Sequence, residues 1–296
     1  SPSGEKIAVY ATLKNGDSAI LVRDLTKNEP YKSIASSDNK SLKLLSFNWF
    51  DDEIILARAW LAQDVYNTKL DYYRLLRVNV DGSGFKPLFK KRHFKDLPRR
   101  WEEFDQTRII DWLPDDEDNI LVQLRMSNAR SPDVIKLNVK ENSIKTVKKG
   151  VAGVGSWMTD EDGRVRIGQT YDRDRSTGSI IFQREGSTKW RTVWDYSSFG
   201  EDAISVLGFG EAPNKVWYEA YKDGRLAVFS ADISKQNIEP ELVYSHPKRD
   251  VETYLRYRKD KKDPIGIGFR DENFHHVTWD KEQAEFEESI YAKFSD

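Results

Sequence analysis

Cysteine is absent from the 296-residue sequence, so disulfides, thiolate metal sites and a cysteine nucleophile are excluded. Histidine is scarce, with His93, His246, His275 and His276 the full set. No apolar run reaches the ~18 residues that a membrane helix needs, and 32% of the residues are charged; no membrane span is expected. The net charge of −2 lacks the basic excess of a dedicated nucleic-acid binder. No Gly-x-Ser-x-Gly elbow occurs, the turn on which many hydrolases mount their serine. Nor does a Walker loop, a Gly-x-Gly-x-x-Gly fingerprint or a His-Glu-x-x-His pair. The sequence therefore assigns no catalytic residue, no metal ligand and no cofactor. What it does have is aromatics: 9 Trp, 13 Tyr and 14 Phe, too many for a disordered chain.

These aromatics mark a repeat. An apolar stretch ends in an aromatic, a polar turn follows, and a second apolar stretch begins. Leu44 to Trp49, Ile109 to Trp112, Val154 to Trp157, Ile204 to Phe209 and Tyr254 to Tyr257 each open such a unit. Ser1-Pro2-Ser3-Gly4 before Ile7-Ala8-Val9-Tyr10 is the same turn and second strand without the strand before it. The units recur about every 45–63 residues, the size of a four-stranded propeller blade with one insertion. Third strands are expected at Ala19–Asp24, Tyr73–Val80, Val134–Val139, Ser179–Phe182 and Leu226–Phe229. Shorter and more polar fourth strands are expected at Pro30–Ile34, Phe85–Phe89, Ser143–Lys148, Trp190–Trp194 and Pro240–Tyr244. The β-branched and aromatic bias of these runs favours strand over helix. Residues 1–296 thus read as one all-β propeller domain of about six blades. Ala57 to Tyr72 and Lys90 to Gln106 break the rhythm. Asp280 to Phe294 reads as a helix capped by Asp280, with Gln283 reaching back and Ala284, Phe286, Ile290, Tyr291 and Phe294 as its apolar positions.

Trp49, Trp112, Trp157 and Phe209 share one repeat position, which predicts a structural role wedged between blades. The acidic clusters Asp51-Asp52-Glu53 and Asp115 to Asp118 fall where hairpin turns are expected, and Asp suits turns. Asp172 to Gly178 resembles a calcium loop, but its glycine stands seventh rather than sixth. His275 and His276 adjoin on an expected strand and point to opposite faces. Gly153-x-Gly155 and Gly208-x-Gly210 suggest close backbone packing. In the long insertion, Glu102-Glu103 has two readings. Paired carboxylates on a loop can clamp a substrate amine, or the pair can be the solvated face of an amphipathic helix.

The Ser1 to Tyr10 stretch, Trp157 to Val165 and Val80 to Gly84 resemble the N-terminal propeller of bacterial S9 peptidases, the prolyl oligopeptidase family, including its dipeptidyl- and acylaminoacyl-peptidase-like members. The resemblance spans nearly the whole chain. It implies a propeller, usually of seven blades, that caps a C-terminal α/β-hydrolase domain of the same polypeptide. The hydrolase carries the Ser-Asp-His triad of a serine peptidase, and the propeller gates short peptide substrates. Glu102 and Glu103 are similar to the amine-binding glutamates of dipeptidyl peptidases, although the sequence around them departs from the family's. On this reading the chain is a trimmed, non-catalytic fragment of a protein of the bacterial cytoplasm or periplasm. A free-standing TolB- or WD40-like propeller that binds a protein partner is the alternative.

Overall fold

The computed structural model describes residues 1–65, 68–94, 104–127, 130–258, 262–270 and 273–294. Among them the chain forms six antiparallel sheets, each built from consecutive strands. The sheets fall into two compact units, residues 1–152 and 153–296.

The first unit opens with β1 (Lys6–Thr12), β2 (Ser18–Asp24) and β3 (Lys32–Ser37), a three-stranded sheet. The missing first strand is the one the sequence pattern lacks. The second sheet comprises β4 (Leu42–Trp49), β5 (Ile54–Val65), β6 (Thr68–Asn79) and β7 (Lys86–Pro87). The third comprises β8 (Ile109–Asp111), β9 (Asn119–Leu124), β10 (Asp133–Asn138) and β11 (Ser143–Lys148). In the second unit, β12 (Val154–Thr159), β13 (Val165–Thr170), β14 (Thr177–Gln183) and β15 (Trp190–Ser197) pair in order. So do β16 (Ile204–Phe209), β17 (Lys215–Lys222), β18 (Arg225–Asp232) and β19 (Glu241–Tyr244). The last sheet, β20 (Thr253–Arg256), β21 (Gly266–Arg270) and β22 (Phe274–Thr278), leads into helix α1 (Lys281–Phe294). This is the serial sheet arrangement of a β-propeller.

The second strand of a unit lies between two partners, and its side chains bury on both faces. β9 and β21 are almost wholly buried, whereas the edge strand β11 is largely exposed. That accounts for the near-continuous apolar runs of the former and the polarity of the latter. The turns are closed by Asp and Asn side-chain oxygens. Asp51 Oδ1 accepts from the backbone of Glu53 (2.8 Å) and Ile54 (2.7 Å). Asp24, Asp81, Asn138 and Asp232 each close the turn after a third-strand segment by accepting from a backbone amide two or three residues on.

Neighbouring sheets within a unit are stitched by side chains that reach backbone carbonyls. Arg77 of β6 donates to Val139 O and Lys140 O, both at 2.9 Å. Arg191 of β15 makes the equivalent pair of bonds to Ile233 O and Lys235 O. Tyr257 donates to Phe209 O at 2.9 Å. Trp217 and Trp279 stack with centroids 5.1 Å apart and planes 5° from parallel.

Two expectations change. The stretch Ala57 to Tyr72 is not a break in the sheet but the distal half of a hairpin whose two strands are 12 residues each. In α1, Asp280 does cap the helix, its Oδ1 accepting from Gln283 N at 3.0 Å, but the Gln283 side chain donates to Glu287 instead of reaching back to Asp280. Phe286, Ile290 and Tyr291 are exposed rather than buried. The helix is held by a polar clasp: Glu287 accepts from Arg256, Thr278 and Gln283. No described helix is long and apolar enough to cross a membrane.

Candidate functional site

Glu102 and Glu103, the carboxylates singled out by the sequence, lie outside the described residues. The chain on either side of them is described. Before them, Lys91–Phe94 forms a short 3-10 turn. There His93 Nδ1 accepts from Lys90 N at 3.3 Å, and its ring meets Phe89 edge-on at 6.3 Å. Burial, reinforced by the charges of Arg92 and Lys90, lowers the His93 pKa and favours its neutral form. After them, residues 104–106 meet β6 through a single parallel bridge between Tyr73 and Asp105. Tyr73 N donates to Phe104 O (2.7 Å) and Gln106 N donates to Tyr73 O (3.0 Å). Buried Arg74 ties the same segment down by donating to Phe104 O at 3.2 Å, with its guanidinium 4.7 Å above the Tyr72 ring.

This pairing shapes a cavity of about 500 Å³ in the first unit. Ser46 and Asn48 of β4, Arg58 of β5, and Asp105, Thr107 and Arg108 supply its polar groups, and Trp112 is one wall. Strand alternation places Ser46 opposite Arg58 in register. Asp105 Oδ1 is taken by Thr107, accepting from its amide (2.9 Å) and hydroxyl (2.6 Å).

Among the shared-position aromatics, Trp157 and Phe209 are each 4% exposed and Trp49 is half-buried against the cluster around Leu44 and Ile55. Trp157 packs on Gly168, where a Cβ would come within 2.7 Å of its ring, and lies edge-on to Trp190 at 5.4 Å. Trp112 departs from this set at 40% exposure, because β8 stops one residue earlier and leaves its ring at the cavity mouth. The sequence did not single out Arg58 and Arg108. The available signal was an arginine inside the apolar run Ile54 to Leu61.

The second unit has a cavity of about 420 Å³ bordered by Asp172, Asp195 and Asp202. Each of these carboxylates serves local structure. Asp172 Oδ1 accepts from the amides of Asp174 (3.0 Å) and Arg175 (3.3 Å), Asp195 from Ser179 Oγ (2.6 Å), and Asp202 from Ser197 Oγ (2.7 Å). The Asp172–Gly178 stretch is thus a tight hairpin turn, closed by the Asp172–Thr177 bridge. No group of three His, Asp or Glu among the described residues is arranged to hold a metal ion. His275 stacks on Phe269 at 5.0 Å while His276 lies on the other face, 3.4 Å from Tyr254 Oη. Gly208 and Gly210 are close-packed, against Tyr257 and Asp263, but Gly153 is a turn residue at φ +85° with open space around it. Glu161 is unusual: burial pushes its carboxyl up to about 7, against the opposing pull of Lys262.

No protein-family model and no curated protein matches the sequence. Solved structures do. A prolyl endopeptidase matches over 95% of this chain and 39% of its own, at 13% identity and a TM-score of 0.51. An oligogalacturonate lyase in complex with manganese matches over 94% and 75%, at 10% identity and a TM-score of 0.51. TolB from Acinetobacter baumannii matches over 93% and 61%, at 16% identity and a TM-score of 0.45. Identities this low establish the propeller fold and nothing finer. The chain spans less than two thirds of the length of TolB and well under half that of the prolyl endopeptidase.

Proposed function

We propose that residues 1–296 are a non-catalytic propeller domain of an S9-family serine peptidase, screening short peptides on their way to an α/β-hydrolase domain of the same polypeptide. One observation carries this reading. The serial array of six sheets corresponds nearly end to end to part of a prolyl endopeptidase, and its turn and strand motifs resemble those of that family's propellers. The sequence also lacks the nucleophile elbow, which fits a division of labour in which the chemistry resides in another domain. A propeller contributes a rigid frame of sheets, and rigid frames with variable loops are well suited to selecting what passes.

The test compares the 296-residue chain with the complete polypeptide that contains it, on short peptides and on a folded protein substrate. The complete polypeptide is expected to cleave the short peptides only, in a reaction stopped by a serine-directed inhibitor, and the 296-residue chain to cleave neither. Inhibitor-sensitive turnover by the chain itself overturns the proposal, as does equal cleavage of the folded substrate. A polypeptide without hydrolase activity that forms a stable complex with a separate protein points instead to the TolB-like interaction propeller.

A further inference from the structure

The cavity between β4, β5 and the 104–108 segment has a feature that its structural role does not use. Arg58 and Arg108 both line it, both are exposed, and neither guanidinium is paired with a carboxylate among the described residues. The chain has nearly equal numbers of acids and bases, and other arginines of the described residues do find hydrogen-bond partners. Arg77, Arg166, Arg191 and Arg256 all do. Arg58 is also oriented: its guanidinium lies 5.4 Å over the Tyr73 ring, and Tyr73 is itself fixed by the backbone bonds to Phe104 and Gln106. Arg108 follows directly on that pinned segment, and its own carbonyl accepts from Gln123 N at 2.9 Å. Both cations are therefore mounted on fixed backbone, the arrangement that lowers the cost of ordering a site on binding.

We infer that this cavity binds the carboxylate of a small organic acid, with Arg58 and Arg108 as the anion-binding pair and the face of Trp112 against the body of the ligand. Guanidinium groups match a carboxylate's two oxygens in geometry as well as charge. Asp105 shares the cavity, so its lining among the described residues carries a net charge of one, which one carboxylate balances and a phosphate dianion overshoots. Ser46, Asn48 and Thr107 offer neutral hydrogen-bonding groups around the charged pair, and the half-exposed indole offers an apolar surface. A volume of about 500 Å³ lies within the roughly 300–1,000 Å³ typical of small-ligand sites. The free C-terminus of a short peptide is the source of such a carboxylate, an identification that rests on the peptide-screening function proposed above.

Calorimetric titration of the 296-residue chain tests this with four probes: the tripeptide Ala-Ala-Phe, its C-terminal amide, 3-phenylpropionate and inorganic phosphate. The free-acid tripeptide is expected to bind, with the amide weaker by about tenfold or more, the scale of losing a charge-assisted hydrogen bond. R58Q and R108Q should each weaken the acid by a similar factor and leave the amide unchanged. R108K should recover part of the loss. The far-ultraviolet circular dichroism of each variant should match the parent, since both side chains are exposed. Equal binding of acid and amide, tighter binding of phosphate than of either organic acid, or no binding by any probe overturns the inference. Binding of 3-phenylpropionate that both variants lose, without binding of the tripeptide, supports the carboxylate site and overturns the peptide as its source.

Discussion

Arg166 is 3% exposed and lies over the rings of Phe182 and Phe209, 5.2 and 5.4 Å from their centroids. Each of its nitrogens is used. Nε donates to Gln183 O (2.9 Å), Nη2 to Asn214 Oδ1 (2.6 Å), and Nη1 to Pro213 O and to Asp160 Oδ2 (3.3 Å). A planar fork that donates from every nitrogen and lies over aromatic rings is an arginine site, and lysine cannot reproduce it. Removing one partner of a buried pair strands the other, so Arg166→Met is expected to cost about 3–5 kcal/mol. Urea denaturation checks this: the midpoint should fall with the slope unchanged, and an unmoved midpoint would contradict the assignment. Nothing in the sequence around Arg166 separates it from the many other arginines. Its role depends on Pro213 and Asn214, far away in the chain, which meet it only once two sheets pack. Repeat position alone does not fix burial: Trp157 is 4% exposed and Trp112, at the same position of its repeat, is 40% exposed where β8 ends one residue before it.

Among the elements, α1 shows where charge does the work of burial. Burial of Glu287 works against its ionised form, but the hydrogen bonds from Arg256, Gln283 and Thr278 outweigh that and hold the carboxyl down at about 2. A glutamate in the unfolded chain titrates near 4.5. The folded state therefore keeps the carboxylate ionised where the unfolded state binds a proton. The stabilisation is complete above about pH 4.5 and is lost as the pH falls towards 2. Glu287→Gln should flatten that acid limb in pH-dependent denaturation. It should also speed amide exchange in α1 at neutral pH while leaving β17 unchanged; an acid limb identical to the parent's would rule the clasp out as its source. The helix itself was legible from Asp280 and the apolar spacing, but its mode of attachment was not, because the partners Arg256 and Thr278 come from β20 and β22. The β5–β6 hairpin was equally hidden. Gln63 and Lys69 are exposed, and polar residues such as these interrupt the apolar alternation that identifies a strand.

For the whole molecule, six sheets repeat one energetic pattern. Each has an inner strand paired on both sides: β2, β5, β9, β13, β17 and β21. Native-state hydrogen exchange should therefore be slowest in these six strands and fastest in β7, β11 and β19, which form sheet edges. A slow core confined to residues 1–152 or to 153–296 would show that the units differ in stability more than their common plan implies. This plan was the part of the structure most open to sequence reading, and Ser143–Lys148 coincides with β11 at both ends. Turn chemistry and strand burial are local, so they leave local marks. The Arg58–Arg108 cavity left only an arginine inside the apolar run Ile54 to Leu61, since its walls come from β4, β5, β6 and the stretch after residue 104, which meet only in the fold.

The stacked pair of Trp217 and Trp279 gives one sheet interface an optical voice. Two indoles 5.1 Å apart and nearly parallel share excitation and quench one another, and they cease to do so once separated. Trp217 belongs to β17 and Trp279 follows β22, so the mutual quenching that Trp279→Phe removes is a built-in gauge of whether the last sheet is seated on the one before it. It reads that seating without any added dye.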